Sequence, residues 1–309
     1  MTPPEALATQ TNPTPPASEA IPKAPAGRHA REGHARTRWR FATYLAIFRV
    51  SLAERMTYRG DFLLATIFRF LPMVTTILLW QAIYDGAGKM NSDMEGFRYK
   101  DMIAYLLLTH ISRMFSSMPN LAAGIAREVR EGTLKRYLLQ PIDMIGYLLA
   151  YRVAHKVAYI ATSFLPYALL FFVCRGFFDG FPDAATLGAY ALSLILAFLV
   201  GFFFEASVGM VGFWFLEVTS LLYIVMTLNF FISGQMMPPD LLPKPWFSIL
   251  EFLPFQYMAY FPAVVFLGKV TGTRLWLHLL RELLWAIAFI VLARVLFRMG
   301  LRRYSAFGG

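Results

Sequence analysis

Apolar runs long enough to cross a membrane alternate along this chain with short connections that carry most of its charges. A spanning helix needs about 20 mostly apolar residues to cross about 30 Å of hydrocarbon. By that measure the pattern predicts six transmembrane helices, near residues 62–84, 102–124, 153–174, 186–209, 212–235 and 276–297. The predicted fold class is therefore an all-α integral membrane protein.

The longest apolar run, residues 187–234, contains only two charged residues, Glu205 and Glu217. As one helix, at 1.5 Å per residue, it would be about twice as long as a bilayer requires. The run is therefore expected to fold back as a hairpin of two spans. Its turn is predicted near Gly209–Gly212, between the two acids.

The N-terminal 35 residues are rich in Pro, Ala and Thr and lack the apolar block of a secretory signal. They are predicted to form a disordered cytoplasmic tail, followed by a membrane domain over residues 36–309. The segment TRWRFATYLAIFRVSLAERMTYRG then repeats apolar residues at near-helical spacing among arginines. This pattern predicts an amphipathic helix that lies in the membrane interface. Its apolar positions are Tyr44, Phe48, Leu52 and Met56.

The connection between the fifth and sixth spans, residues 235–273, is unusually apolar and rich in proline. Its apolar pieces, each about ten residues long, are too short to span a bilayer and too apolar to be solvated. They are predicted to form re-entrant or interfacial helices on the outer side.

Composition supports a membrane protein, since 57% of the residues are hydrophobic and 16% are charged, against roughly 25% charged in soluble domains. The net charge of +10 comes from basic residues at the ends of apolar runs, which suits lipid headgroups rather than nucleic acid. Lys and Arg concentrate in alternate connections, so both termini are predicted to face the cytoplasm of a plasma membrane. The single cysteine, Cys174, excludes an intrachain disulfide, and the five histidines show no spacing of metal ligands.

A charged stretch, REVREGTLKRYLLQPID at residues 127–143, falls on the predicted cytoplasmic side between the second and third spans. AREVREGTLKRYLLQ is predicted to form one short amphipathic helix with Leu134, Leu138 and Leu139 on its apolar side. Pro141 would end it, because proline disfavours helix in the residue before it. The stretch either presents charge to a partner outside the bilayer or is a solvated loop that sets the topology.

The order of these segments resembles that of the permease subunits of ABC-2 type exporters. The resemblance rests on the interfacial helix, the six spans, the central charged stretch, and the segments NFFISGQMMPPDLLPKPW and LPFQYMAYFP. It extends over residues 36–309. Together with the final GLRRYSAFGG, it points to the branch that pairs with a second permease and an ATPase to export drugs, including viologen-type cations.

The resemblance implies that residues 126–139 dock on a separate ATPase subunit. ATP and Mg²⁺ would bind there, because this chain has no GxxxxGK[ST] phosphate-binding loop. The chain itself is then expected to bind no cofactor and to be no enzyme, and a second permease, identical or different, would pack against its first and fifth spans. The implied coupling residues are Arg127, Glu128, Arg130, Glu131, Gly132, Thr133 and Leu134.

Ionisable residues inside a membrane are candidate functional residues, because burying a charge at the centre of a spanning helix is costly. Besides these, polar residues at the outer end of the fifth span either line a pathway for a small-molecule substrate or let helices pack closely. The candidate pathway residues are Glu205, Glu217, Asn229, Ser233 and Gln235. For Glu217 the alternatives are attraction of a cationic substrate and pairing at a helix end. Arg69, Arg281, Glu282 and Arg294 are the remaining ionisable residues of interest.

The alternative function is a secondary transporter driven by an ion gradient, in which Arg69, Glu205 and Glu217 would couple ion movement to transport. The central cytoplasmic helix discriminates between the two functions. A permease needs a docking element for its ATPase, whereas a secondary transporter does not.

Overall fold

The computed structural model of the chain describes residues 27–57, 59–90, 92–215 and 217–304. Within them the fold is helical, apart from a short antiparallel hairpin of β1 (Asp93–Met94) and β2 (Phe97–Arg98). The helices are α1 (Gly27–Thr57), α2 (Arg59–Gly86), α3 (Tyr99–Ser116), α4 (Leu121–Arg130), α5 (Lys135–Leu138), α6 (Met144–Val173), α7 (Ala184–Met210), α8 (Thr219–Ile232), α9 (Lys244–Phe252), α10 (Tyr260–Phe266) and α11 (Gly272–Arg303).

The chain divides into two units, residues 1–45 and 46–309. In the first unit, the described residues form the beginning of α1, which starts at Gly27. Residues 1–26 of the predicted disordered tail lie outside the described residues. The last part of that tail is helical instead, so the predicted N-terminal helix begins earlier than expected. Its position in the membrane interface stays a prediction.

Three helical stretches in the described chain are long and apolar enough to cross a membrane: Met144–Phe177, Ala184–Phe213 and Gly272–Arg303. They confirm the predicted class of an all-α membrane protein. The other three predicted spans correspond to α2, α3 and α8, of 28, 18 and 14 residues. At 1.5 Å per residue, α8 covers only about 21 Å. The count of six spans therefore stays a prediction.

The central helix of the second unit is α7. Within its most apolar window 61% of the residues are buried, against 22% in the corresponding windows of α6 and α11. Helices α3, α4, α10 and α11 pack on it. Large aromatic side chains fill the spaces between these helices, since Tyr105, Phe202, Tyr257 and Phe261 are all buried.

The second predicted span, 102–124, is not one continuous helix. Helix α3 ends at Ser116 and α4 begins at Leu121. Pro119 lies between them, and a proline has no backbone N–H and disfavours helix in the residue before it. Asn120 follows with a left-handed φ of 60°. We call residues 117–120 the helix break.

The expected division of this apolar run into two helices is present, because α7 ends at Met210 and α8 begins at Thr219, and their arrangement as a hairpin of two spans stays a prediction. The fifth helix begins seven residues later than predicted. Its start is defined by Glu217, whose Oε1 accepts the backbone N–H of Thr219 at 2.7 Å and so satisfies a free donor of the first turn.

The proline-rich segment 235–273 contains two short α-helices, α9 and α10, as predicted, and its position on the outer side stays a prediction. They differ in burial: no residue of α9 is buried, whereas residues 260–265 of α10 all are. Helix α10 packs against α3 and α7. It is therefore part of the core rather than an interfacial helix.

Candidate functional site

The helix break lies against one face of α7. Gly201, Glu205 and Gly209 recur every four residues and so share one side of that helix. A Cβ atom added to Gly201 would lie 2.0 Å from the carbonyl oxygen of Ser116, and one added to Gly209 would lie 2.7 Å from that of Ala122. Only glycine fits such a close approach of two helix backbones.

Glu205, midway between these glycines, binds the helix break directly. Its Oε1 accepts the backbone N–H of Met118 at 3.0 Å. The side chain is only 4% exposed, and no described residue donates a hydrogen bond to its Oε2. A buried backbone N–H needs an acceptor, so this carboxylate stabilises the break from the side of α7.

Lys156 on α6 binds the same break from another helix. Its Nζ donates to the carbonyl oxygen of Ser117 at 2.6 Å and to that of Met114. In a continuous helix the N–H of Met118 would donate to the oxygen of Met114, four residues earlier. Glu205 and Lys156 therefore replace the two halves of one helical hydrogen bond.

Two cavities meet beside the break. The first, of about 370 Å³, lies between α2, α3 and α8, and the second, of about 710 Å³, lies between the break, α4 and α8. Arg113 and Ser117 line both of them. The two cavities follow α3 and α4 from Met236, in the connection after α8, to Arg130 at the end of α4.

Two of the predicted pathway residues lie on these cavities: Glu205 lines the second and Gln235 the first. Two others do not line either cavity. Asn229 and Ser233 are 1% and 0% exposed, and the carbonyl oxygen of Ser233 accepts the backbone N–H of Tyr260 at 3.1 Å. Ser233 thus joins the end of α8 to the start of α10, and Asn229 is buried in α8.

Glu217, the fifth predicted pathway residue, lies in the turn before α8. Hydrogen bonds from Thr219 hold the pKa of its carboxyl below the usual value, and its Oε2 lies 3.5 Å from the Nη1 of Arg130. Its side chain is 66% exposed. Of the two roles open to it from sequence, the structure shows the pairing at a helix end.

The central charged segment is not the single helix that the sequence predicts. Helix α4 ends at Arg130, and the chain turns through Gly132 before the short α5. Gly132 has φ of +71°, a left-handed conformation that costs other residues about 1–2 kcal/mol. Leu134 N–H then returns to the carbonyl oxygen of Glu128 at 3.2 Å, which closes the turn.

The predicted apolar side of this segment is also wrong, because the turn separates its three leucines. Leu134 is buried, whereas Leu138 is 46% and Leu139 is 83% exposed. The implied coupling role of Leu134 cannot be a direct contact. Helix α4 instead buries Leu121, Ala122, Ile125, Ala126 and Val129.

Glu128 is not free for a partner either. Its Oε1 accepts hydrogen bonds from the Nη2 of Arg136 and, at 3.4 Å, from the hydroxyl of Tyr137. Its side chain is 19% exposed. Glu128 thus joins α4 to α5. The implied coupling residues that do face outward are Arg127, Arg130, Glu131 and Thr133.

Arg113 and Lys156 are functional candidates that sequence reasoning missed. Arg113 lies inside the second predicted span, so the cost of burying a charge should have singled it out as it did Glu205. Pro119 carried the signal for the break. Lys156 lies near the start of the third predicted span, where a lysine can reach the interface, and its role depends on a neighbouring helix.

The other ionisable candidates with described side chains all lie on α11 and contact polar residues outside that helix. The Oε2 of Glu282, which is fully buried, accepts the hydroxyl of Ser193 at 3.0 Å, and Arg281 lies 4.0 Å from Glu251. Arg294 donates to Asp143, the N-cap of α6, at 2.6 Å. The side chain of Arg69 lies outside the described residues.

Metal chemistry finds no support in the described part of the chain, where no group of three or more His, Cys, Asp or Glu side chains comes together. Comparison with known proteins identifies a family for this chain. Residues 70–308, well over half of the chain, match the family described as ABC-2 family transporter protein. A search of curated proteins found no match.

Proposed function

This chain belongs to the ABC-2 family of transporter proteins, and we propose that it is the permease subunit of an ATP-driven exporter. A separate ATPase subunit binds ATP and Mg²⁺, since this sequence lacks a GxxxxGK[ST] loop. The resemblance to drug exporters makes small amphiphilic molecules the expected substrates. A second permease, identical or different, completes the pathway.

The observation that carries this proposal is the exposed segment that runs from the end of α4 through α5. Glu131, Thr133, Lys135, Leu138 and Leu139 are all exposed there, while Leu134 and Tyr137 anchor the turn in the core. Two adjacent exposed leucines with charged residues beside them give the apolar centre and polar rim that are found at protein interfaces. We assign this surface, residues 131–140, to the ATPase and call it the coupling turn.

Helix α4 can transmit a movement of the coupling turn to the cavities. Helix α4 ends directly at the coupling turn. It packs on α7 through the close contact of Ala122 with Gly209. Its other end is the helix break, which adjoins Arg113 between the two cavities. Movement of the ATPase would thus tilt α4 about the break and change the shape of the pathway.

The faces of α2 and α8 are the surface proposed for the second permease. Large apolar side chains are exposed on both helices: Phe68, Leu71 and Leu78 on α2, and Tyr223, Ile224 and Phe231 on α8. Both helices also line the first cavity. A partner seated on them would close the cavities into one pathway between the two permeases.

Copurification of the complex tests the proposal. Leu139→Asp should prevent the ATPase from copurifying with the permease in detergent, because a charge would replace the apolar centre of the coupling turn. Phe181→Asp is the matched control, since Phe181 is equally prominent, at 90% exposed, but lies in the loop between α6 and α7. A Leu139→Asp complex that keeps its ATPase and its transport would contradict the docking surface.

Ion-gradient transport remains the second candidate because two buried carboxyl groups, Glu205 and Glu282, lie within the helical core and could carry protons. Vesicles that contain the permease without ATPase distinguish the two functions. Uptake driven by an imposed proton gradient would favour this alternative, and strict dependence on ATP and the ATPase would exclude it.

A further inference from the structure

The two cavities together carry an excess of positive charge. Arg113 lines both, and Arg127 and Arg130 line the second. Among residues whose side chains are described, no carboxylate lies within 4.0 Å of the guanidinium of Arg113 or Arg127. The acceptors of Arg113 are neutral: the hydroxyl of Ser116 at 3.3 Å and the sulfur of Met258 at 3.9 Å.

Glu205 offsets only part of this positive charge, because its carboxyl interacts electrostatically with Arg113, Arg152 and Lys156 at once. It is the one carboxylate among the described residues lining the second cavity, and its Oε1 already accepts from Met118. Arg130 has its own partner in Glu217. Arg113 therefore shares one carboxylate with two other cations, and the exposed Arg127 lies on the same cavity. Because cations outnumber carboxylates here, the potential of the cavity favours a negative group.

The N-terminus of α4 adds to the positive electrostatic potential of the second cavity. The first residues of α4, including Ala122 and Ala123, line the second cavity. The side chain of Asn120, at the N-cap, makes no capping hydrogen bond. The free N–H groups of a helix N-terminus favour an anion, in agreement with the arginines beside them.

The walls away from the arginines are apolar. Met73, Leu106, Met114 and Phe230 line the first cavity, and Leu222 and Met226 line the second. The volume of the second cavity, about 710 Å³, lies within the usual range of about 300–1,000 Å³ for ligand pockets. The pathway thus offers one cationic position between two apolar compartments.

We infer that the exported substrate is an anionic amphiphile, whose carboxylate, sulfate or phosphate group binds Arg113 and Arg127 and whose apolar part lies in the first cavity. Guanidinium groups bind such oxyanions through two parallel hydrogen bonds. This inference rests on the proposed function and narrows its substrate class. It disfavours the viologen-type cations that the resemblance suggests. The substrate is either an anionic lipid of the bilayer or a free amphiphile.

Binding of three probes that share one tail and one fluorophore tests the sign of the charge. The probes are 11-(dansylamino)undecanoic acid, its neutral methyl ester and the corresponding terminal amine. Full-length permease in nanodiscs of phosphatidylcholine should bind the acid about tenfold or more tightly than the ester, because hydrogen bonds to a charged group are worth about 1.5–3 kcal/mol. The amine should bind most weakly.

Variants then locate the site. Arg113→Gln should weaken binding of the acid about 10- to 100-fold and leave the ester unchanged, whereas Arg113→Lys should keep most of the preference for the acid. Arg175→Gln is the matched control, because Arg175 lies over the ring of Phe172 and lines neither cavity. If Arg113→Gln also loses the ester, the fold is damaged, and the exposed Arg127→Gln decides in its place by reducing binding of the acid alone.

Lipid composition separates the two sources of the anion. Nanodiscs with phosphatidylglycerol should abolish binding of the acid if the substrate is a bilayer lipid, and should leave it unchanged if the substrate is a free amphiphile. Equal binding of acid and ester, tighter binding of the amine, or the same loss in Arg175→Gln would overturn the inference. No ATPase is present in this assay, so its outcome is independent of whether the coupling turn docks on one.

Discussion

Glu205 and Lys156, on neighbouring helices, hold the two ends of a single missing helical hydrogen bond. The carboxylate of Glu205 accepts the N–H of Met118 at 3.0 Å, and the ammonium of Lys156 donates to the carbonyl oxygen of Met114. Neither backbone group could be left unpaired in the core without a cost of about 1–3 kcal/mol. The α3–α4 break is thus a structural feature supported by α6 and α7, and not a local defect.

The first prediction concerns these two side chains. Lys156→Met and Glu205→Leu should each lower the free energy of unfolding of the purified permease by about 1–3 kcal/mol, because each leaves buried backbone groups unpaired. Glu205→Gln should be milder, since the amide oxygen still accepts the N–H of Met118. Thermal unfolding in detergent measures all three. Equal stability of the Leu and Gln variants would show that the hydrogen bond to Met118 contributes nothing.

The second prediction concerns the packing of α7. Gly201→Ala should prevent accumulation of folded permease in the membrane, because its Cβ would lie 2.0 Å from the carbonyl oxygen of Ser116, and a backbone atom cannot move aside as a flexible side chain can.

Gly188→Ala is the control on the same helix, since a Cβ at that position has no atom within 4 Å. It should be neutral or slightly stabilising, because alanine favours helix. Size-exclusion profiles and yields of the two variants measure the difference. Equal yields would mean that α3 and α7 are not packed as closely as the structure shows.

Much of the fold could be read from the sequence, because membrane helices are limited by length and hydrophobicity. The length of the apolar run from 187 to 234 predicted two helices rather than one, and α7 ends at Met210, within the predicted turn region. The spacing of Gly201, Glu205 and Gly209 was equally visible. Its meaning was not, because a single sequence does not say which helix backbone lies against those glycines.

The central segment was misjudged for a related reason. Its leucines fit a helical repeat, but Gly132 lies among them with φ of +71°, and the helix stops there. Glycine is a weak signal inside a helical pattern, since it is tolerated at a cost of about 1 kcal/mol. The tertiary contacts of Leu134 and Tyr137 decide the outcome, and no periodicity in the sequence contains them.

The third prediction concerns this turn. Gly132→Ala should destabilise it by about 1–2 kcal/mol, because alanine pays the full cost of a left-handed φ, whereas Gly132→Asn should be milder. Gly124→Ala on α4 is the control, since a Cβ there has open space around it and its φ is not positive. Amide hydrogen exchange of residues 128–138 measures the effect. Faster exchange in both alanine variants would point to a general loss of structure in α4 instead.

The last prediction separates coupling from folding with two glutamates three residues apart. Glu131 is exposed, whereas Glu128 joins α4 to Arg136 and Tyr137. Glu131→Lys should leave yield and stability unchanged and abolish the stimulation of ATP hydrolysis by substrate in proteoliposomes, because its exposed carboxylate lies on the surface proposed for the ATPase. Glu128→Lys should lower the stability of the permease itself, since it places a second cation beside Arg136.

The charge exchange Glu128→Arg with Arg136→Glu provides the internal check, because it restores the pair in reverse and should recover the stability that Glu128→Lys loses. Coupling in this double variant reports whether the outer surface of the turn, and not the pair itself, contacts the ATPase. If Glu131→Lys retains full stimulation while the ATPase remains bound, contacts at Leu138 and Leu139 carry the coupling and charge at this turn does not. If it retains stimulation and Leu139→Asp does too, the segment is only a loop that sets the topology of the chain.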